Sequence, residues 1–580
     1  MFSILLASVA SLGAFVSAQH LFDRNLAYSS PFTNAPHLSH NTRALYARHL
    51  AFAKRQIDGP TPSQLADTQS SEGFVDDGYP TFYGGDFSSS PFIYKGGINF
   101  THSVASGDPF DTSVLLWTRA VPIGSQLPDQ SIPVCVSFKI FDNANLSGRH
   151  VDSGDAFTSY DVDWTLKVEA NNLNPDSHYW FQFADCTNAS TVSPVGTTRT
   201  ISSPNTPAEY VNGGKPLTLA VFSCSQYQSG WFNAYGVAAH NTSADLFLHL
   251  GDYDDHEVAD QAWKAGTADS NDTAVGCSFS PSGACFTDRK LAAVRAYHEW
   301  MPIRQVDPDD KLRIWRNFQI GKLLDLTMLD TRQYDRDVTD LIISPTFDSV
   351  INSIADVRNR SLMGTEQESW FYQTLSESKA RGATWRIVGQ QIVFTMLNES
   401  GSLDVDAWDG YRANRNRVLD HLYKNKISNT IILSGDSHAN WVSDLAHPNQ
   451  TIKHDVRSPS YNPITGEGAI GVEFAGTAVT STSSFGAGIS PTNADKFSTI
   501  FVAANTDLQW SEGSYRGFFT LTLDPHQANA TYWAMSNVST ANLEAFSSAT
   551  FIVKAGANKL SRPVAGGSVL AGVLKVQGQE

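Results

Sequence analysis

Charge is scarce in this chain. Only 17% of its 580 residues are Asp, Glu, Lys or Arg, against about a quarter in an average domain, while 41% are hydrophobic. That balance supports a sizeable core and excludes global disorder. Positive charge is the scarcer sign, with 41 Lys and Arg against 58 Asp and Glu and a net charge of −17, which excludes bulk electrostatic binding to nucleic acid or anionic membranes. Beyond the extreme N-terminus the chain lacks any run of 18 apolar residues, so no integral membrane span is expected. It also lacks internal repeats. What it has instead is aromatic bulk, 13 Trp and 33 Phe. Its length allows about four domains of 150 residues, or two larger ones.

The N-terminus sets the expected compartment. Residues 3–16 are apolar and too short to span a bilayer, and Val16-Ser17-Ala18 offers a small-x-small cleavage site before Gln19. Residues 1–18 therefore read as a signal peptide, and Lys54-Arg55 reads either as a second cut that would remove a pro-segment or as two solvated charges. Ten glycosylation sequons agree with secretion by a eukaryotic cell: Asn99, Asn145, Asn188, Asn241, Asn271, Asn359, Asn398, Asn449, Asn529 and Asn537. The expected location is extracellular or in the cell wall.

Organisation follows from the pattern of apolar runs. Residues 19–95 have no sustained period and read as pro-segment and irregular lead-in. From 96 to 205 short β runs alternate with turn residues (Val114–Thr118, Val134–Ile140, Trp164–Val168, Tyr179–Phe183), as in a small β-sandwich. From 211 to 545 apolar strands alternate with helical stretches, as in a layered α/β domain. Residues 546–580 are expected to be a tail, whose apolar patch Val569–Val576 is too short for a lipid-anchor signal.

The chemistry is expected where buried strands end. Leu217–Phe222 runs into Ser223-Cys224-Ser225-Gln226, and Leu246–Leu250 into Gly251-Asp252-Tyr253. Leu323–Leu329 runs into Asp330-Thr331-Arg332, and Thr430–Leu433 into Ser434-Gly435-Asp436-Ser437-His438. One Asp after a strand is as readily a helix cap. Four such ends offering Cys, Asp, His and Arg suggest a multi-metal hydrolytic site with an Arg clamp for phosphate oxygens.

Five cysteines leave one over after pairing. Cys277 and Cys285 flank a short Ser/Pro/Gly loop that a disulfide would close, and Cys135 and Cys186 lie in β segments of the smaller domain that a second would bridge. Cys224 is left beside the acidic motifs, where a thiolate is a good metal ligand; a buried inert thiol is the alternative.

Taken together, Gly107-Asp108-Pro109, Leu116-Trp117-Thr118-Arg119, Ser223-Cys224 with Gln226, His249-Leu-Gly-Asp-Tyr253, Asp254-Asp-His-Glu257, Leu329-Asp-Thr-Arg332, Gly435-Asp-Ser-His438 with Trp441, and Val472-Glu-Phe474 resemble the alkaline phosphatase D (PhoD-like) family, in family order from about 96 to 545. The resemblance implies a calcineurin-like metallophosphoesterase, a layered α/β β-sandwich with helices, behind an Ig-like all-β domain. It also implies calcium and iron, and hydrolysis of phosphate mono- and diesters. Carried over by position, Cys224 would be the iron thiolate and Asp252 the carboxylate bridging the two metals. Asp436 and His438 would complete the cluster. Asp255 would face calcium, His256 the phosphate or leaving group, and Arg332 the phosphoryl oxygens. His256 or His438 would protonate the departing alkoxide.

One departure stands out. Family members carry an iron-binding Tyr three residues after the Asp, and some tens of residues separate it from the Asp-Asp-His-Glu block. Here Gly251-Asp252-Tyr253 joins directly onto Asp254-Asp255-His256-Glu257, and position 255 holds Asp. The two motifs are fused. The readings left open are a phosphatase or phosphodiesterase, a phospholipase D-type diesterase, and an impaired paralogue or mis-spliced chain that acts as a binding protein.

Overall fold

The computed structural model describes residues 93–124, 132–253, 258, 262–264, 266–267, 286–306, 310, 312–339, 345–399, 402–448 and 461–575. The expected signal peptide, most of the lead-in, Asp255, His256, Cys277, Cys285, Asn271 and Asn449 lie outside them. The chain divides into two compact units, split at Thr200–Ile201, with residues 297–304 returning to the first.

The first unit is all-β. Strands β1 (Ile98–Gly107), β2 (Val114–Pro122) and β5 (Thr165–Ala170) form one antiparallel sheet in the order β1-β2-β5. A second takes the order β4-β3-β6-β7, from β3 (Val134–Phe141), β4 (Asp152–Thr158), β6 (His178–Asp185) and β7 (Asn188–Val192), with β8 (Gly196–Arg199) also paired to β6. Alternating residues of the two sheets, among them Leu116, Leu166 and Val168 against Val136, Ile140 and Phe181, share one core. Cys135 and Cys186 are joined. Arg304, far along the sequence, is buried with its guanidinium 2.6 Å from Glu169 and its backbone N–H on Asp108 at 2.7 Å.

The second unit is a sandwich of two mixed sheets flanked by helices. Strands β9 (Leu217–Phe222) and β10 (Leu246–His249) are parallel. They share a sheet, order β10-β9-β20-β21-β22, with β20 (Gly517–Leu523), β21 (Gln527–Met535) and β22 (Ala545–Lys554). The second sheet runs β11-β12-β13-β16-β18-β17-β19-β23. Its strands are β11 (Arg316–Ile320), β12 (Leu324–Met328), β13 (Trp385–Gly389), β16 (Thr430–Ser434), β17 (Asn440–Ala446), β18 (Ala469–Ala475), β19 (Leu508–Glu512) and β23 (Val573–Leu574). A small hairpin, β14 (Asn398–Glu399) with β15 (Ser402–Leu403), lies apart.

Period-two patterning decides the layers. Leu217, Leu219 and Val221 of β9 face Leu324, Leu326, Ile431 and Leu433 between the sheets. The alternate residues Ala220 and Phe222 face outward onto Ala234, Val237 and Ala238 of helix α1 (Asn233–Asn241). On the far side of the larger sheet, Val388 and Ile432 pack on Trp370, Phe371 and Leu375 of one helix (Gly364–Ala380) and on Val418, Leu419 and Leu422 of another (Arg412–Lys424).

Residues 546–575 are not a tail. They begin inside β22, and Val573–Leu574 pairs with β19 at the sheet edge. The apolar patch there is a short edge strand. Arg562 and the Leu560 N–H close the segment down on the buried carboxylate of Asp444 at 2.5 and 2.8 Å.

Candidate active site

The strand ends named from the sequence converge in the second unit. Past the last pair of β9 and β10 the ladder continues: Leu250 N–H bonds Phe222 O at 2.9 Å, Cys224 N–H bonds Gly251 O at 3.3 Å, and Ser225 N–H bonds Asp252 O at 2.8 Å. This carries Cys224 and Asp252 out side by side, and Cys224 Sγ donates to Asp252 Oδ2 at 3.4 Å. Both are buried. Burial and then the Asp252 charge push the Cys224 thiol well above its ordinary pKa, so without a bound cation it is the protonated donor of that pair.

The other sheet supplies the opposite wall. Gly435 N–H bonds Gln391 O at 3.0 Å, and Asp436 N–H bonds Ser223 Oγ at 3.2 Å, which draws the end of β16 against the end of β9. Only glycine permits the approach. A Cβ at position 435 would lie 2.1 Å from Ser223 Oγ and 2.6 Å from Ser223 Cβ. His438 Nδ1 donates to Thr482 O at 2.8 Å, which fixes the tautomer with the lone pair on Nε2.

Four of these residues share a backbone anomaly. Cys224, Asp252, Asp436 and His438 have φ of 57°, 53°, 72° and 53°. Left-handed backbone in a non-glycine residue costs on the order of 1 kcal/mol or more, and it gathers at functional sites. Of the five residues expected to hold metal, the four that are described bear it, among sixteen such non-glycine residues in the described chain.

Arg332, at the end of β12, is buried between two carboxylates. Its Nη1 donates to Asp406 Oδ2 at 2.5 Å, and its Nη2 is in contact with Asp436 Oδ1. Asp406 also accepts Arg336 Nη2 at 2.7 Å. Asp330, from the same strand end, spends Oδ1 on the N–H groups of Arg332 and Gln333 at 3.0 and 2.7 Å and so shapes the turn. Sequence reasoning missed Asp406 and Gln391, and named Ser223 without giving it a role. Gln391 Oε1 accepts Thr331 N–H at 2.7 Å and its Nε2 donates to Leu329 O at 3.0 Å, so it joins the Arg332 turn to the Asp436 turn. The position of Gln390-Gln391 at the end of a buried strand was the available signal.

The donor chemistry fits cations: a sulfur, two carboxylates and an imidazole Nε2 match a mixed transition-metal and alkaline-earth centre. Among the described residues, the only three donor atoms already within 4.8 Å of one another are those of Cys135, Asp155 and Cys186, where the disulfide consumes both sulfurs. In the active-site group Asp436 is held by Arg332.

Comparison with known proteins places these elements. The model of the PhoD-like phosphatase family matches residues 219–253 and 253–532, and that of the PhoD-like phosphatase N-terminal domain matches 88–202. The first match breaks at Tyr253, where the two motifs are fused. Alkaline phosphatase D of Bacillus subtilis is 29% identical over 547 residues, which cover 83% of this chain and 85% of that protein. A solved structure described as PhoD aligns with a TM-score of 0.65 and 26% identity over 82% of this chain and 94% of that one. A purple acid phosphatase of yellow lupin aligns with a TM-score of 0.44 and 11% identity over 78% and 73%.

Proposed function

The chain belongs to the PhoD-like phosphatase family and is a phosphoric ester hydrolase of the alkaline phosphatase D type; from that premise we propose that it cleaves phosphate mono- and diesters at a calcium and iron centre held by Cys224, Asp252, Asp436 and His438. The observation that supports the reading is that Cys224 is bonded to Asp252, that the Asp436 N–H is bonded to Ser223 beside Cys224, and that the buried Arg332 contacts Asp436. Cations bound there would neutralise phosphate charge and lower the pKa of a bound water.

The protein's own groups divide the remaining work. Cys224 would release its thiol proton to solvent on loading, and Asp252, now its hydrogen-bond partner, would stay ionised as a fellow ligand. Arg332 would grip phosphoryl oxygens with Nη2 after releasing Asp436, while Nη1 stays anchored on Asp406. The Thr482 carbonyl keeps the His438 ring in one orientation. Asp255 and His256, outside the described residues, are assigned to calcium and the leaving group by resemblance.

Secretion and glycosylation belong to the same proposal. Asn99, Asn145, Asn188, Asn241, Asn359 and Asn537 are exposed, whereas Asn398 and Asn529 are half-buried and less suited to carry glycan. N-terminal sequencing of secreted material is expected to begin near Gln19 or Gln56; a start at Met1 overturns that part.

The catalytic reading is tested with Asp436→Asn. It is expected to lose bound metal and hydrolysis of p-nitrophenyl phosphate while remaining folded, since the Asn oxygen can still accept from Arg332 and Asp406 keeps the Arg332 charge paired. Wild-type metal content and turnover in this variant would overturn the assignment.

A further inference from the structure

Val472-Glu-Phe474 is a motif that the site described above leaves without a role. Glu473 lies on β18, opposite Ile432 of β16 on one side and Ser443 of β17 on the other, and it is fully buried. A carboxylate in the middle of a sheet is costly unless donors surround it. Here they do. Oε1 accepts Phe394 N–H at 2.7 Å and Ser434 Oγ–H at 2.5 Å, and Oε2 accepts Thr395 N–H at 2.7 Å. The same peptide segment is held from behind by Arg415, whose Nε donates to Phe394 O at 2.7 Å.

Ser434 is the last residue of β16, immediately before Gly435-Asp436. Its hydroxyl, which donates to Glu473, accepts Gln390 Nε2 at 2.7 Å. Gln390 Oε1 in turn accepts Trp408 Nε1 at 3.2 Å. The neighbouring Gln391 holds Gly435 N–H with its backbone oxygen and the Thr331 N–H and hydroxyl with its side chain. Hydrogen bonds thus run from Glu473 through Ser434 to Gln390, and from its chain neighbour Gln391 to Thr331. They tie the turn bearing Asp436 and His438 to the turn bearing Arg332.

We infer that Glu473 is a positioning residue for the phosphoesterase site, setting the register of the Asp436–His438 turn against Arg332 through the Ser434 hydroxyl. The inference rests on the site reading proposed above. An apolar residue cannot take over the role of Glu473, because the two backbone N–H groups of 394 and 395 need acceptors in a dry interior. Glutamine cannot do so either. Each carboxylate oxygen receives a backbone N–H, so the amide NH2 must face a donor.

The experiment uses the full-length, metal-loaded protein with p-nitrophenyl phosphate, and reads kcat, KM, bound metal and melting temperature for Glu473→Gln, Ser434→Ala, Ser434→Thr and the control Asp436→Asn. Ser434→Ala leaves the 394–395 anchor in place and so separates positioning from folding. Glu473→Gln and Ser434→Ala are expected to lower kcat per metal-loaded molecule about tenfold or more with KM within about twofold, the pattern of a lost transition-state alignment. Ser434→Thr, which keeps the hydroxyl, is expected to retain wild-type kcat. Wild-type kcat per loaded molecule in Glu473→Gln and Ser434→Ala overturns the inference, as does a loss fully accounted for by unfolded protein. If Asp436→Asn stays active, the site reading itself fails; if Asp436→Asn is dead while those two variants are normal, only the inference falls.

Discussion

Gly435→Ala puts the assembly of the two sheets to a quantitative test. The new methyl would meet Ser223 Cβ at 2.6 Å and Oγ at 2.1 Å, with the backbone oxygen of Gln391 at 3.2 Å. Ordinary contact between methyl carbons begins near 3.5 Å, so the ends of β9 and β16 must part by roughly 1 Å. Overpacking of this kind costs about 1–3 kcal/mol of stability. The catalytic cost is larger in proportion. Ser223 adjoins Cys224 and Gly435 adjoins Asp436, so the displacement falls between residues on opposite walls of the site, and a 1 Å misplacement can cost on the order of 10²-fold in rate. The assay is kcat for p-nitrophenyl phosphate together with a urea melt. The decisive comparison is the pair Gly435→Ala with Ser223→Gly, which removes both atoms in the way. The double variant is expected to recover most of the rate lost by Gly435→Ala, short of the Ser223 Oγ bond to Asp436 N–H. If Gly435→Ala is as active as wild type, or if Ser223→Gly adds its own loss with no recovery, the close approach of the strand ends is not what builds the site.

Arg332→Ala is expected to weaken transition-state binding by about 2–4 kcal/mol while metal stays bound, read as kcat/KM beside elemental analysis; loss of metal in parallel would show a structural role instead. Burial pushes the Asp409 carboxyl up to about 8. Because the folded value lies above the unfolded one, its contribution to stability is complete at acid pH and is lost as pH rises toward 8, by about 1.4 kcal/mol per unit between the two values. Urea melts at pH 5 and pH 9 are therefore expected to differ less in Asp409→Asn than in wild type, and an equal difference in both refutes the assignment. Removing the Cys135–Cys186 bridge, which spans 51 residues, is expected to cost roughly 4 kcal/mol by loop-entropy arithmetic, measured by denaturant melts of the serine variants; Cys224 should react as the single thiol of those three cysteines only once the protein unfolds, since it is buried. Inserting a family-type segment between Tyr253 and Asp254, with Tyr three after Asp252, is expected to raise iron retention and phosphoester turnover. Equal turnover in the unmodified chain would make Asp255 a genuine ligand where it stands.

Much of this protein was legible in its sequence, for a local reason. A buried strand announces itself through a run of apolar residues, and the polar residues that follow it have to sit at the sheet edge, so Cys224, Asp252, Arg332, Asp436 and His438 could be grouped as one candidate site from the ends of four runs. The small sandwich was equally legible from its alternation. Sequence did not show the partners of those groups. Asp406 lies 74 residues beyond the Arg332 it anchors, and Asp436 lies 104 beyond it. Glu473 has no legible role within Val472-Glu-Phe474 until Ser434, Phe394 and Thr395 are seen to converge on it. Nor did it show that residues 297–304 return to the first unit, or that residues 546–575 complete two sheets. Secondary structure and strand-end chemistry depend on neighbours a few positions apart, which a sequence displays. Buried charge pairs, close glycine approaches and sheet order depend on which surfaces meet when the apolar faces collapse, and that is settled only in three dimensions.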